Sequence, residues 1–228
     1  MTNNCFASSE KKMILICAAI PGELKPLLDD DFSQQDENLF QHRAKPLLLA
    51  SLGIGPCSFL LGFARIQSQF PLKQALLTGT CGIYPGGSAP NSPGLFFSPS
   101  SVCLADGLEI QGQGYFPDVM QQELSLQADF WQRRQVLSGR CLSPAVITAD
   151  DALADQLGRH YQAMAEQMEC FAFAAACREF NLPGSALFAV SNIVGSSGYV
   201  QWLDRHERVV EKSCQLIRES LPELLSTC

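Results

Sequence analysis

Basic side chains, histidines and paired cysteine motifs are all scarce in this sequence, and each scarcity closes off a class of function. Lys and Arg number 16 against 23 Asp and Glu, so the net charge is −7. A surface this acidic gives little hold on a nucleic-acid phosphate lattice or an anionic membrane, which argues against both as partners. The three histidines, His42, His160 and His206, are too dispersed for a metal-ligand cluster or a Ser-His-Asp array. No apolar stretch reaches the roughly 18 residues that a membrane span needs. Gly53-Ile54-Gly55 lacks the third glycine of a dinucleotide fingerprint, and no Walker loop occurs. Ten cysteines are scattered from Cys5 to Cys228 without a C-x-x-C pair. They read as reduced, mostly buried thiols in a reducing, cytoplasmic compartment. Residues 1–22 mimic a secretory leader poorly, because the apolar run is short and Glu23 follows at once.

What the chain does have is a series of apolar runs. With 46% hydrophobic residues and no long polar tail, the 228 residues suit one domain, 1–228, with 1–12 as a flexible N-terminal extension. The runs at 13–20 (MILICAAI) and 46–52 (PLLLASL) read as strands buried on both faces of a sheet. Further strands are expected at 75–78, 101–110, 145–148 and 187–190. Helical spacing of apolar residues marks 58–67, 123–136, 167–180 and 201–221. Residues 83–101, rich in Gly, Pro and Ser, have the composition of a domain linker, but neither side is large enough to close a core alone, which argues against one. The alternation of strands and helices predicts an α/β layer structure with a mixed sheet.

In such a sheet ligands collect where strands end in turns and helix starts. Four segments end that way: Ile20-Pro21-Gly22-Glu23, Gly53-Ile54-Gly55, Thr78-Gly79-Thr80-Cys81-Gly82 and Ser191-Asn192. Each alone is no more than a turn. Asp150-Asp151 looks like an acid pair but reads as a helix N-cap and its neighbour.

Together with Met168-Glu169 at a helix start, these segments resemble, in order and interval, the purine and uridine phosphorylase superfamily. The resemblance spans nearly the whole chain. It implies a three-layer nucleoside-phosphorylase-like α/β fold, with a central mixed sheet flanked by helices, and homo-oligomeric assembly. It also implies that Glu169 accepts hydrogen bonds from ribose hydroxyls while Met168 packs on the sugar. A carboxylate suits that task because it only accepts and can take two hydroxyls at once. Gln167, Thr80, Cys81, Gly82 and Ser191 would face the base or lend turn backbone. Asn192 would meet the base, where the adenine-type nucleosidases carry Asp. Its amide can donate to N7 and O6 of a 6-oxopurine but cannot act as an acid, which points to a hypoxanthine-like or guanine-like base.

Glu23 decides between water and phosphate. In the hydrolases that this chain resembles, the matching Glu activates water. The phosphorylases carry an arginine after the first strand and another before the glycine turn; here the first stretch has none and Leu77 takes the second place. An anion beside Glu23 would be poorly neutralised, with Lys25 as its one nearby cation, so hydrolysis without metal or organic cofactor is expected. Glu23 combined with Ser191-Asn192-Ile193-Val194-Gly195 and Trp202 is most similar to the futalosine hydrolase branch. That implies a small-molecule nucleoside partner and release of hypoxanthine on a menaquinone route. A phosphate-dependent purine nucleoside phosphorylase and a silent nucleoside-binding relative are the alternatives. The sequence also departs from the pattern. Gln167 replaces an acid at a position that tends to act through backbone, Pro26 interrupts the first helix, and Ala152 stands near where an aromatic would stack on the base. Phe116 or a neighbouring subunit is left as the compensating group.

Overall fold

The computed structural model describes residues 12–86 and 94–226; the expected N-terminal extension falls almost wholly outside them. Strands β1 (Met13–Ala18) and β4 (Leu47–Ser51) are buried at every position because each serves two cores. Leu15 and Cys17 of β1 join Leu48 and Ala50 of β4 on one face, where Phe59, Phe63 and Phe173 of α1 (Pro56–Gln69) and α5 (Cys170–Glu179) cover them. Ile14 and Ile16 join Leu47 and Leu49 on the other, beneath Val210, Cys214 and Ile217 of α6 (Gly198–Ser226). The period-2 alternation of a strand thus feeds both layers, and the protein is a mixed α/β sheet flanked by helices.

The remaining strands are β2 (Phe32–Asp36), β3 (Leu39–His42), β5 (Leu72–Ile83), β6 (Phe96–Ala105), β7 (Glu123–Ser125), β8 (Leu137–Pro144), β9 (Ala165–Glu166) and β10 (Gly184–Ile193). Their order is β10-β6-β8-β9-β5-β1-β4-β3-β2, with β7 on β6. A further parallel pairing of β10 with β5 closes β5, β10, β6, β8 and β9 into a ring. Across its rim Asn192, Gly82 and Glu166 stand in one register row on three adjacent strands. Among the described residues no helix is long and apolar enough to cross a membrane. Of eight free cysteines described, only Cys57 is exposed.

Several elements differ from their expected places. The polar stretch after Asp31 forms the β2–β3 hairpin, an edge whose Gln34, Gln35 and Asp36 face solvent. Residues 145–148, expected as a strand, are a loop that leaves Val146 and Ile147 72% and 63% exposed. The strand is β8 just before it, disguised by Gly139 and Arg140. A Cβ at Gly139 would fall 2.2 Å from the Met164 sulfur, so any larger residue there needs that side chain to move. The helix expected at 123–136 is replaced by β7 and the single turn α3 (Asp129–Gln132). The strand expected to run to residue 110 stops at Ala105, where Asp106 caps the turn α2 (Gly107–Ile110). In place of a first helix stand two 3-10 turns, Pro21–Glu23 and Lys25–Leu27, since Pro26 cannot donate the bond that a helix continuing from Pro21 needs. Asp150 does cap α4 (Asp151–His160), accepting from the Leu153 N–H at 2.8 Å.

Candidate active site

A cavity of about 290 Å³ opens where β1, β5 and β10 end. Glu23, Thr80, Cys81, Gly82, Gln167, Met168, Glu169, Ser191 and Asn192 all line it. The segments Thr78–Gly82 and Ser191–Asn192, expected as turns after strands, instead continue β5 and β10, so the late residues of these strands and the turn after β1 face the same space.

The turn after β1 delivers Glu23. Its Oε1 accepts the Thr80 backbone N–H at 3.0 Å and the Thr80 hydroxyl at 3.4 Å. Trp202 Nε1 donates to that hydroxyl at 3.2 Å; because an indole N–H only donates, the Thr80 proton stays free for Glu23. The carboxyl lies against Gly79, whose φ is +144° and where a Cβ would come within 2.6 Å of Oε1. A side chain at residue 79 is therefore excluded twice, by backbone conformation and by contact. Burial pushes the Glu23 carboxyl up to about 7; the Thr80 N–H opposes this and the negative Glu169 adds to it.

Glu169 is 3% exposed at the N-cap of α5, so it is not an ordinary solvated first-turn acid. It does not cap its own helix. Instead Oε1 accepts the Gly55 N–H at 2.7 Å and Oε2 takes the Gln167 side-chain amide, while Gln167 Oε1 accepts the Glu169 N–H at 3.0 Å. Gly55, at φ +83°, is the N-cap of α1, so the Gly53-Ile54-Gly55 turn aims its donor across the cavity. The Gln167 side chain thus braces Glu169. Burial raises the Glu169 carboxyl above its ordinary value, against the pull of Gly55 and Gln167.

Asn192 is fixed by its neighbours. Ser191, fully buried, lies with its hydroxyl 2.7 Å from Asn192 Oδ1 and 3.2 Å from the Cys81 carbonyl. Asn192 Nδ2 donates to the Ile193 carbonyl at 3.2 Å, which leaves its second N–H for another acceptor. Gly82 makes room, since a Cβ there would come within 2.9 Å of Nδ2.

The family model described as the phosphorylase superfamily matches residues 13–222. The chain belongs to that superfamily. It is 29% identical over 185 residues to a futalosine hydrolase of Thermus thermophilus, covering 75% of this chain and 79% of that one. Its fold matches a putative 5′-methylthioadenosine/S-adenosylhomocysteine nucleosidase of Francisella philomiragia, with TM-score 0.79, 16% identity, 93% of this chain and 99% of that one covered. A Streptococcus pneumoniae nucleosidase of the same description, holding a transition-state inhibitor, matches with TM-score 0.75, 19% identity, and 90% and 96% covered.

Within this superfamily member the cavity is notable for its charges. Glu23, Glu166 and Glu169 line it, and no Lys, Arg or His does among the described residues. Lys25 is exposed and points to no part of the lining; Leu77 is wholly buried in the core. Phe116 and Ala152 do not line the cavity either, whereas Ile147, Tyr199 and Trp202 do. Tyr199, Trp202 and His206 form a stack, with 6.1 Å between the first two rings and 4.2 Å between the last two. Glu166 has no mark in the sequence, since no local pattern separates it from a surface acid.

Proposed function

We propose that the protein is a nucleosidase that hydrolyses the N-glycosidic bond of a purine nucleoside, with futalosine or a related 6-oxopurine nucleoside as substrate and hypoxanthine as leaving base. The observation that carries this reading is Glu23, a carboxylate poised near neutrality in a cavity that no cation lines among the described residues. A phosphate nucleophile would meet up to three negative side chains with nothing to neutralise it, whereas water is neutral and needs a base. Likeness to the Thermus futalosine hydrolase supports the substrate class.

In this mechanism the C1′–N9 bond breaks with its electron pair passing to the base, and C1′ gathers positive charge. Water adds to C1′ and yields its proton to Glu23. Glu169 accepts from the ribose hydroxyls and fixes the sugar, and Met168 packs on it. Asn192 donates to N7 of the departing base; it stabilises the anion, which then takes its proton from solvent. The exposed apolar residues at the cavity mouth, Ile54, Ile147 and Tyr199, support a homodimer or larger homo-oligomer whose second copy covers them.

The test offers futalosine, inosine and methylthioadenosine with and without phosphate. The expected result is free base and free sugar at a rate independent of phosphate. Ribose 1-phosphate, formed only when phosphate is present, would replace this reading by phosphorolysis. Binding without turnover would make the protein a silent relative.

A further inference from the structure

The mechanism above leaves one buried carboxylate of the cavity without a task. Glu166 is 8% exposed and lines the cavity. Its Oε2 accepts the Tyr84 hydroxyl and the Thr148 hydroxyl, both at 2.8 Å, and its Oε1 accepts the Thr148 backbone N–H at 3.1 Å. These three donors are neutral. A carboxylate offers about four acceptor sites, so one site on Oε1 is left over. Tying the 145–150 loop to β9 would account for the three bonds. It does not account for a carboxylate, since burying one without a cation costs more than burying an amide of the same shape.

Position supplies the missing reason. Asn192, Gly82 and Glu166 occupy one row across β10, β5 and β9. The middle residue has no side chain, so the row is a shelf with an amide donor at one end and a carboxylate acceptor at the other. A 6-oxopurine carries the matching pattern: N7 and O6 accept on one edge, and N1–H donates on the next. In a 6-aminopurine N1 is an acceptor, which would face the carboxylate lone pair with no proton between them.

We infer that Glu166, positioned by Tyr84 and Thr148, is the acceptor for N1–H of a 6-oxopurine and the residue by which the site rejects 6-aminopurines. This rests on the nucleosidase reading for the placement of a purine in the cavity. Discrimination arises as much from the unpaired carboxylate left by the wrong base as from the bond made to the right one.

The experiment measures binding of hypoxanthine, 1-methylhypoxanthine and adenine by calorimetry to the wild-type protein, Glu166→Gln and Tyr84→Phe. The wild type is expected to prefer hypoxanthine over both other bases by about a hundredfold or more. Glu166→Gln, whose amide can turn either an acceptor or a donor to N1, is expected to lose about tenfold to a hundredfold of the preference over adenine. Tyr84→Phe should lose a smaller part. Unchanged preference in a folded Glu166→Gln protein would overturn the inference. Should that variant not fold, the wild type still decides, because equal affinity for hypoxanthine and 1-methylhypoxanthine would overturn it as well. Base preference without turnover would defeat the hydrolase reading and leave this inference standing. Turnover in water that ignores N1 methylation of inosine would do the reverse.

Discussion

The cavity holds three carboxylates, Glu166 and Glu169 buried and Glu23 half-buried, at two sites that are built by different means. On the proposed reading, Glu23 and Glu169 serve the sugar and the water, and each is gripped by a backbone N–H, from Thr80 within β5 and from Gly55 at the start of α1. Glu166, on the base side, is gripped mainly by hydroxyls of Tyr84 and Thr148. Backbone donors are set by chain geometry and survive most substitutions, whereas side-chain donors vanish with one. The chemistry of bond cleavage is therefore tied to the fold, and base choice to replaceable side chains. In this chain a relative could change its base without touching its reaction.

That division predicts large effects on rate at one side and effects on selectivity at the other. Glu23→Gln should cut turnover by at least about a hundredfold while nucleoside binding, read by calorimetry, is spared. A mild loss would make Glu23 a structural residue. The same variant tests the cost of burial. The folded carboxyl titrates near 7, above its value in the unfolded chain, so the folded state holds the extra proton between those values and stability falls as pH rises through them. Glu23→Gln should accordingly melt higher than wild type at pH 8 and alike at pH 4, measured by calorimetric scanning.

Gly79→Ala should displace the Glu23 carboxyl and lower kcat/KM by about tenfold to a hundredfold, since small misplacements of a reacting group are costly. On the base side, Asn192→Asp should move the ratio of kcat/KM toward adenine nucleosides by about tenfold, as an acid able to protonate N7 replaces the amide. An unchanged ratio would remove Asn192 as a base reader. The smallest effect belongs to Trp202→Phe. Without the indole N–H the Thr80 hydroxyl turns more freely, and the acid limb of the pH–rate profile should shift upward by less than about one pH unit.

The two sites also differed in how much the sequence revealed. Glu23, the Gly53-Ile54-Gly55 turn, Gly79-Thr80-Cys81-Gly82 and Ser191-Asn192 were visible because apolar runs that lead into glycine or polar residues are written locally, although the last two continue β5 and β10 where turns were expected. Glu166 was not. It lies in the two-residue strand β9, which exists only through pairing with β5 and β8, and its partners Tyr84 and Thr148 stand 82 and 18 residues away in the chain. The same holds for the fold. The doubly buried β1 and β4 announced themselves as apolar runs, whereas β8 hid behind Gly139 and Arg140, and the polar β2–β3 hairpin behind its solvent-facing edge. Closure of the ring through β10 and β5 left no mark in either strand beyond its length.

The account turns on Glu23 as a base that is half ionised near neutrality. Its most direct test is the pH dependence of kcat/KM for futalosine hydrolysis from pH 5 to 9, in wild type and in Glu23→Gln. The wild-type value should climb about tenfold per unit and level off near pH 7, and the variant should lack that limb altogether. A flat wild-type profile, or a limb that survives in the variant, would contradict it.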